Sequence, residues 1–322
     1  MKSFAYILIV LSIGLTSCFK EEQPVPKKDR GNIVSESVEM GVTYDTKFYI
    51  SLNNKSISGS IKKYDWDIAL SGDSLIPYIR LNTSLGMYAV NTHKKSIYEV
   101  TDTSGLMSRV RYDYPRGDKD SLALTGILDS GFVYLIYLGT DEGLQSRGIV
   151  LLTANISNNK YRLHYRYLNN SNDQSAFIDF NPDKQHILFR FNSSAILEEP
   201  VLDNWDFQLT QYAHIYYNPF QTYSVVGCII NPLRVQGAVY DGQKTFSDIS
   251  YSDALTANYS SKEDIIGFSW KYYDLNNNKY VVKPEKTYFI KRFDGKIFKL
   301  HFIGFYNQKG EKGTPIFEYK EL

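Results

Sequence analysis

The chain has 322 residues, enough for one large β domain or two ordinary ones. Hydrophobic residues make up 43% of it and charged residues 22%, which excludes an intrinsically disordered chain. The 36 basic and 35 acidic residues leave a formal charge of +1, which gives no support to a nucleic-acid partner. The 27 tyrosines and 18 phenylalanines favour β-sheet, since aromatic side chains suit a pleated, half-buried surface.

Residues 1–17 predict a lipoprotein signal peptide. Lys2 precedes an almost wholly apolar run, residues 4–15, that is too short to span a bilayer comfortably. The run ends in Leu15-Thr-Ser-Cys18, which looks like a bacterial lipobox with cleavage before Cys18. We therefore expect acyl chains on Cys18 that anchor the protein in a membrane. An ordinary signal peptide followed by an unrelated cysteine is the alternative.

Residues 18–32 predict a flexible tether. The segment Phe19-Lys-Glu-Glu22 resembles the signal that sends lipoproteins of Bacteroidota to the outer cell surface. Pro24, Pro26 and the charged residues beside them cannot build a core. The predicted localisation is therefore the outer membrane, with a lipid anchor and display at the cell surface.

From about residue 33 the chain shows alternating patterns that predict antiparallel strands. Residues 48–52 and 57–61 flank Asn53-Asn54 and predict a hairpin. Residues 132–138 form a nearly continuous apolar run, as expected of a strand covered on both faces. In residues 161–167, Tyr or Leu alternates with Arg or His, so one face of the strand is predicted to be buried.

The C-terminal region predicts a second hairpin. Residues 287–293 and 296–303 flank Asp294-Gly295, a dipeptide that suits a two-residue turn with positive φ at both positions. Short helices are predicted at residues 251–257 and 104–109, and none longer. The predicted fold class is all-β, or β with minor α, built from antiparallel sheets.

Two segments repeat a pattern in which Trp-Asp precedes an apolar strand. They are Tyr64-Asp-Trp-Asp-Ile-Ala-Leu70 and Asp203-Asn-Trp-Asp-Phe-Gln-Leu209. The recurrence predicts two related lobes, an N-terminal β lobe of residues 33–195 and a C-terminal β lobe of residues 196–322. A chance recurrence of a short pattern within one domain is the alternative.

Several stretches resemble the HmuY family, lipoproteins of Bacteroidota whose founding members bind haem as part of iron uptake. They are Phe48-Tyr-Ile-Ser-Leu52, Asp65-Trp-Asp-Ile-Ala-Leu70, Ile79-Arg-Leu-Asn-Thr83, Tyr288-Phe-Ile-Lys-Arg-Phe-Asp-Gly-Lys296, Lys299-Leu-His-Phe302, Gly310-Glu-Lys-Gly313 and Ile316-Phe-Glu-Tyr319. The stretches occur in the family's order, and the middle of the chain resembles the longer members. The resemblance implies an HmuY-like sheet arrangement, above all in the C-terminal lobe, and haem as the cofactor.

The resemblance also implies where a haem ligand would lie. Haem carriers of the family hold iron between two axial side chains, typically histidines, one of which follows an aromatic-Ser pair shortly before the final hairpin. The similar stretch here is Gly267-Phe-Ser-Trp270. Tryptophan occupies the ligand position and indole offers iron no free lone pair, so this stretch does not predict a bis-histidine site.

Two histidines are the candidate haem-binding residues. His214 lies in Gln211-Tyr-Ala-His-Ile-Tyr-Tyr217, among aromatic side chains that suit a flat ring. His164 shares the polar face of its strand with Arg162 and Arg166, which suit propionate carboxylates. Solvent-facing strand residues are the alternative for both. No two histidines have the close spacing of a metal site, so no other metal is predicted.

The remaining chemistry-bearing residues predict structural roles. Met40, Met87 and Met107 are soft iron ligands in principle and core filler by default. Asp67 and Asp206 suggest a glycosidase pair, but each stands beside a tryptophan at a strand entrance, where a carboxylate accepts backbone N–H bonds. No nucleophile elbow, phosphate-binding glycine loop or zinc-protease motif occurs, so the protein is not predicted to be an enzyme.

The predicted function is therefore ligand binding. One hypothesis is a surface lipoprotein of HmuY type that captures haem or a related porphyrin for iron acquisition. The alternative is an accessory module that binds a partner protein, such as an outer-membrane transporter component, or a glycan, without haem. A hydrolase that uses Asp67 and Asp206 is a third hypothesis.

Overall fold

The computed structural model describes residues 32–322, so the predicted signal peptide, Cys18 and the predicted tether up to residue 31 lie outside the described residues. Most regular structure in the described range is β-strand. The strands are β1 (Val34–Ser37), β2 (Thr46–Ser51), β3 (Ser56–Lys62), β4 (Ile68–Ser71), β5 (Ile79–Leu81), β6 (Tyr88–Asn91), β7 (Tyr134–Tyr137), β8 (Ile149–Ser157), β9 (Lys160–Tyr167), β10 (Gln174–Asp179), β11 (His186–Arg190), β12 (Ala195–Glu198), β13 (Phe207–Tyr217), β14 (Phe220–Ile230), β15 (Val235–Val239), β16 (Lys271–Asp274), β17 (Lys279–Val282), β18 (Thr287–Arg292), β19 (Ile297–Tyr306) and β20 (Lys312–Glu321).

Helices in the described range are short. The α-helices are Ile127–Ser130 and Tyr251–Leu255, and the 3₁₀ turns are Lys63–Asp65, Thr83–Leu85, Ile97–Glu99, Met107–Arg109, Lys119–Ser121 and Leu202–Asn204. The helix predicted near residue 251 is confirmed, whereas the one predicted near residue 104 is only a 3₁₀ turn. Between residues 32 and 322, no helix has the length and apolar character needed to cross a bilayer.

The strands form four main antiparallel sheets and one separate hairpin. Sheet 1 has the order β10-β9-β8-β7-β6, and sheet 2 has the order β12-β11-β4-β5. Sheet 3 has the order β14-β13-β2-β3, and sheet 4 has the order β1-β20-β19-β18-β15. β16 and β17 pair only with each other among the described strands. The predicted all-β class with antiparallel sheets is confirmed.

A first hydrophobic core joins sheets 1 and 2. The alternation in β9 turns Tyr161, Leu163 and Tyr165 inward, and each is 0% exposed. Phe189 of β11 packs edge-on against Tyr165, with ring centroids 5.7 Å apart. Each side chain buried in this way contributes roughly 1.5–3 kcal/mol, so these residues help to hold the two sheets together.

A second hydrophobic core joins sheets 3 and 4. Phe207 of β13, Tyr288 of β18, Phe302 of β19 and Phe317 of β20 are each 0% exposed in it. Phe207 meets Phe317 edge-on, with ring centroids 5.6 Å apart. Part of the high aromatic content of the sequence is thus used inside the protein.

Both predicted hairpins are confirmed, but the second turn differs from its prediction. Arg292 donates its N–H to the Lys296 carbonyl at 2.8 Å, which leaves three residues in the loop. Only Gly295 among them has positive φ, at 90°. The prediction of a two-residue turn was therefore wrong, since the bulged three-residue loop needs a left-handed residue at one position alone.

Strand pairing crosses the boundary between the two predicted lobes. β1 pairs with β20 and β2 pairs with β13, so residues 34–62 belong to the same sheets as the C-terminal strands. The first core draws its residues from the range 68–191, and the second from 38–52 and 207–319. The division into lobes of residues 33–195 and 196–322 stays a prediction.

Candidate functional site

A long hairpin of β13 and β14 carries His214. Each strand has 11 residues, but β2 pairs only with Phe207–Leu209, so the outer half of the hairpin runs on past β2. In that outer half His214 lies opposite Tyr223. Strand alternation places His214 on the same face as Tyr212 and Tyr216. The predicted stacking residues around His214 are therefore brought together.

The His214 imidazole is half-buried between two aromatic rings. Its centroid lies 4.8 Å from that of Tyr216 and 4.9 Å from that of Phe268, both edge-on. Burial lowers the pKa of His214; Asp264 raises it, and the nearby Arg116 charge lowers it. The ring is therefore neutral at pH 7, which is the form in which imidazole binds a metal ion.

The Nδ1 atom of His214 is buried and has no hydrogen-bond partner among the described residues. Leaving a polar atom buried and unpaired costs about 1–3 kcal/mol. Thirteen buried side-chain nitrogen or oxygen atoms of the described residues share this property, so it does not by itself distinguish His214 as a ligand site.

Aromatic side chains continue to the tip of the hairpin. Tyr217 and Phe220 are 55% and 56% exposed. The Tyr217 ring meets Tyr114 at 5.7 Å, and the Phe220 ring meets Tyr112 at 6.0 Å. The tip thus packs against the segment 112–114 and still leaves a large aromatic surface in solvent, a property typical of binding surfaces.

Burial leaves only one of the three candidate methionine ligands accessible to solvent. Met40 and Met87 are 0% and 2% exposed and fill the cores, whereas Met107 is 53% exposed. The Tyr88 hydroxyl donates a hydrogen bond to Met107 Sδ at 3.9 Å. The Tyr88 ring also contacts the Tyr112 ring, with centroids 5.9 Å apart, so Met107 lies near the segment 112–114 that packs against the hairpin tip.

His164 lies apart from His214, on the outer face of sheet 1. Its Nε2 is 2.9 Å from Asp173 Oδ1, and the other oxygen of Asp173 accepts a hydrogen bond from the Tyr98 hydroxyl at 2.8 Å. The Arg166 guanidinium covers the Tyr98 ring at 4.9 Å. His164 therefore has a carboxylate partner within the protein, and its role in haem binding stays a prediction.

Trp270 belongs to the second core. It is 0% exposed and its ring stacks on Phe302, with centroids 4.2 Å apart and an interplanar angle of 15°. The stretch in which the family resemblance implies a ligand therefore supplies packing here. The next residue, Lys271, is also buried, and its Nζ lies 4.0 Å from the Trp270 ring centroid and donates to the Val226 carbonyl.

Asp67 and Asp206 are structural carboxylates. They are 1% and 0% exposed, and each is paired with an arginine, Arg147 and Arg292 respectively. Each also accepts a backbone N–H from the residue that follows a neighbouring strand, Phe191 after β11 and Leu52 after β2. A carboxylate committed in this way is not free for acid or base chemistry, so the glycosidase hypothesis loses its motivating pair.

Sequence reasoning missed a polar cleft between sheets 2 and 3. Glu199, 2% exposed, contacts the Tyr49 hydroxyl at 2.7 Å, Lys47 Nζ at 3.3 Å and His186 Nδ1 at 3.2 Å. Burial opposes the charged form, yet His186 and Lys47 hold the pKa of Glu199 well below its usual range. The cleft has a free volume of about 60 Å³, room for a few water molecules and far too little for a porphyrin.

No group of three His, Cys, Asp or Glu side chains between residues 32 and 322 is arranged to hold a metal ion. Cys228 is fully buried, and burial raises the pKa of its thiol well above the ordinary value. Its thiol therefore acts as a small hydrophobic group in the second core.

Comparison with known proteins assigns the chain to a family. The family model described as HmuY protein matches residues 43–319, so the chain belongs to the HmuY family. No curated protein sequence matches the chain. The predicted resemblance is thereby confirmed.

The solved structures that resemble the chain have low sequence identity to it. Apo PinO from Porphyromonas gingivitis is 9% identical, with a TM-score of 0.26, and the match covers 91% of this chain and 98% of that one. The apo HmuY analogue TFO of Tannerella forsythia is 12% identical, with a TM-score of 0.24 and the same coverage. A proposed HmuY-like heme binding protein from Bacteroides vulgatus ATCC 8482 is 17% identical, with a TM-score of 0.21, and the match covers 41% of this chain and 82% of that one. The family assignment rests on the family model alone.

Proposed function

We propose that the protein is a non-enzymatic lipoprotein that binds haem or a related porphyrin at His214 for iron acquisition. The observation that carries the proposal is the neutral, half-buried His214 imidazole between two aromatic rings. Membership of the HmuY family supports a binding role over a catalytic one.

The residues around His214 fit a porphyrin in three respects. The imidazole is a nitrogen donor in its metal-binding form, and a single histidine is a sufficient protein ligand for haem iron in several haem proteins. Phe268 and Tyr216 provide apolar edges for a flat ring. The positive charge of Arg116 acts electrostatically on His214 and is of the sign that attracts a propionate carboxylate. When bound, haem would supply the iron to be carried, and the protein would supply the ligand and the apolar surround.

A haem titration of the purified protein tests the proposal. We expect a red-shifted Soret band in the wild type and the loss of that shift in His214→Ala. His164→Ala is the matched control, since its histidine already pairs with Asp173, and we expect it to keep the shift. Loss of the shift in His164→Ala alone would move the site to sheet 1, and no shift in the wild type would refute haem binding.

A second function, binding of an outer-membrane partner protein, is favoured by one specific observation. The exposed rings of Tyr217 and Phe220 form an aromatic tip that the fold does not need for its cores. Aromatic residues of this kind are enriched at protein interfaces. Capture of an outer-membrane protein by the wild type, lost in Tyr217→Ser/Phe220→Ser while haem binding persists, would support this function; capture unaffected by the double substitution would refute it.

The proposed location follows from the N-terminal sequence. Acylation of Cys18 would place the described part of the chain about 15 residues from the membrane, on a tether rich in charge and proline. Metabolic labelling with a palmitate analogue tests this, with Cys18→Ser as the control. Equal labelling of both chains, or none in the wild type, would refute the anchor.

A further inference from the structure

The contacts of Asp67 define the start of the first core. Asp67 donates its N–H to the Phe189 carbonyl at 2.8 Å, and its Oδ2 accepts the N–H of Phe191 at 2.8 Å. Its Oδ1 pairs with Arg147 Nη2 at 2.7 Å. One carboxylate thus joins β4 to the end of β11 and to the segment that enters β8.

Asp206 makes the same set of contacts at the start of the second core. Asp206 donates its N–H to the Ile50 carbonyl at 2.7 Å, and its Oδ2 accepts the N–H of Leu52 at 2.7 Å. Its Oδ1 pairs with Arg292 Nη1. Here β13 is joined to the end of β2 and to the end of β18, just before β19.

An asparagine beside each of these aspartates makes equivalent hydrogen bonds in the two cores. Asn82 donates its N–H to the Asp67 carbonyl at 2.9 Å, and Asn231 donates to the Asp206 carbonyl at 2.8 Å. Each side-chain amide donates to the carbonyl of the tryptophan before that aspartate, at 3.0 Å in both cases, and to the carbonyl three residues earlier. Two Trp-Asp patterns alone could be chance, whereas matched sets of side-chain and backbone bonds show one local structure built twice.

The sheet orders extend the correspondence to the whole described chain. Sheet 1, β10-β9-β8-β7-β6, matches sheet 4, β1-β20-β19-β18-β15, position by position. Sheet 2, read as β5-β4-β11-β12, matches sheet 3, β14-β13-β2-β3. In these matches β4–β9 correspond to β13–β15 and β18–β20, and β10–β12 correspond to β1–β3.

We infer that the protein consists of two copies of one module that have exchanged their first three strands. In chain order each copy begins with a three-strand segment, β1–β3 or β10–β12, followed by a six-strand segment. The three-strand segment of the first copy, residues 34–62, completes the sheets of the second copy, and β10–β12 complete the sheets of the first. The open sheet edges of each copy therefore pair with the three-strand segment of the other copy.

The exchange gives the N-terminal segment a role in the candidate ligand site. β2 supports the base of β13, the strand that carries His214. The connections between equivalent strands, β6 to β7 in one copy and β15 to β18 in the other, supply Arg116 and Phe268. These connections meet where Glu263 donates its N–H to the Arg116 carbonyl at 3.1 Å. Both copies therefore contribute residues to the surroundings of His214.

Hydrogen exchange measured by mass spectrometry tests the inference on the full mature chain. Ile50 and Phe189 occupy equivalent positions, and Ile50→Val and Phe189→Leu remove part of each side chain without adding a polar group. We expect Ile50→Val to speed exchange about two- to tenfold in β13 and β14 and to leave β4 and β5 unchanged. We expect Phe189→Leu to speed exchange in β4 and β5 and to leave β13 and β14 unchanged. Faster exchange of β4 and β5 in Ile50→Val, with β13 unaffected, would overturn the exchange of strands.

A disulfide provides a second test that does not weaken the cores. In a Cys18→Ser background, Ser35→Cys/Glu318→Cys places two thiols opposite each other in β1 and β20, while Cys228 stays buried. We expect an intrachain crosslink in the monomer. The control Ser35→Cys/Arg162→Cys would crosslink only if β1 lay beside β9 of its own copy. A crosslink in the control and none in the test pair would overturn the inference.

Discussion

Replacing Asp206 with asparagine removes one charge and almost no volume. The wild-type carboxylate is 0% exposed, and the Arg292 side chain that it pairs with is 10% exposed. The substitution removes the buried counter-charge of the Arg292 guanidinium, leaves it only the 44% exposed Asp294 at 3.1 Å, and weakens the acceptor for the Leu52 N–H. Breaking one partner of a buried pair costs about 3–5 kcal/mol. That is a large share of the roughly 5–15 kcal/mol by which a protein is stable.

Urea unfolding followed by tryptophan fluorescence measures this cost. We expect a lower midpoint for Asp206→Asn with the slope unchanged, and a similar loss for the equivalent Asp67→Asn, whose partner Arg147 is 14% exposed. The control is Asp179→Asn, since Asp179 is 72% exposed in its pair with Lys160 and should cost under about 1 kcal/mol. Similar losses for Asp206→Asn and Asp179→Asn would refute the structural role of the buried carboxylate.

Three further predictions concern single side chains. Burial lowers the pKa of Lys271 to about 7. Between pH 7 and 10 the unfolded chain therefore binds a proton that the folded chain does not. The free energy of unfolding rises in that range by up to about 1.4 kcal/mol per pH unit. Urea titrations should show this rise in the wild type and in Lys279→Met, and its loss in Lys271→Met; parallel curves for the wild type and Lys271→Met would contradict it. Haem affinity should be constant above about pH 6.5 and fall below the lowered pKa of His214, where the imidazole takes up a proton; spectral titrations across pH 5–8 would contradict this if affinity rose on acidification. Trp270→His should cost about 3 kcal/mol in urea unfolding, since a cavity and an unpaired imidazole replace the indole, and should add no haem signal; unchanged stability would contradict the packing role.

Local features of the fold were predictable from the sequence, because period-2 alternation fixes which face of a strand is buried. The inward face of β9 and the hairpin of β2 and β3 follow directly from that pattern. Strand partners do not follow from it. Residues 46–51 carry no sign that they pair with Phe207–Leu209 instead of the nearer Ile68–Leu70, since alternation specifies a face and not a neighbour.

The candidate site was predictable in part. The aromatic residues on either side of His214 are close in sequence, so their clustering could be expected on a strand. Phe268 comes from a distant connection, and nothing in the residue pattern places it beside His214. The buried Lys271 was also missed, because a lysine next to an aromatic residue has the same appearance on an exposed strand as in a core.

Electron paramagnetic resonance of the ferric haem complex tests the central claim most directly, because the spectrum depends on the axial ligand of the iron. We expect the signal of a nitrogen-ligated haem in the wild type and in His164→Ala, and its disappearance in His214→Ala. An identical nitrogen-ligated signal in all three proteins would contradict the assignment of His214 as the ligand.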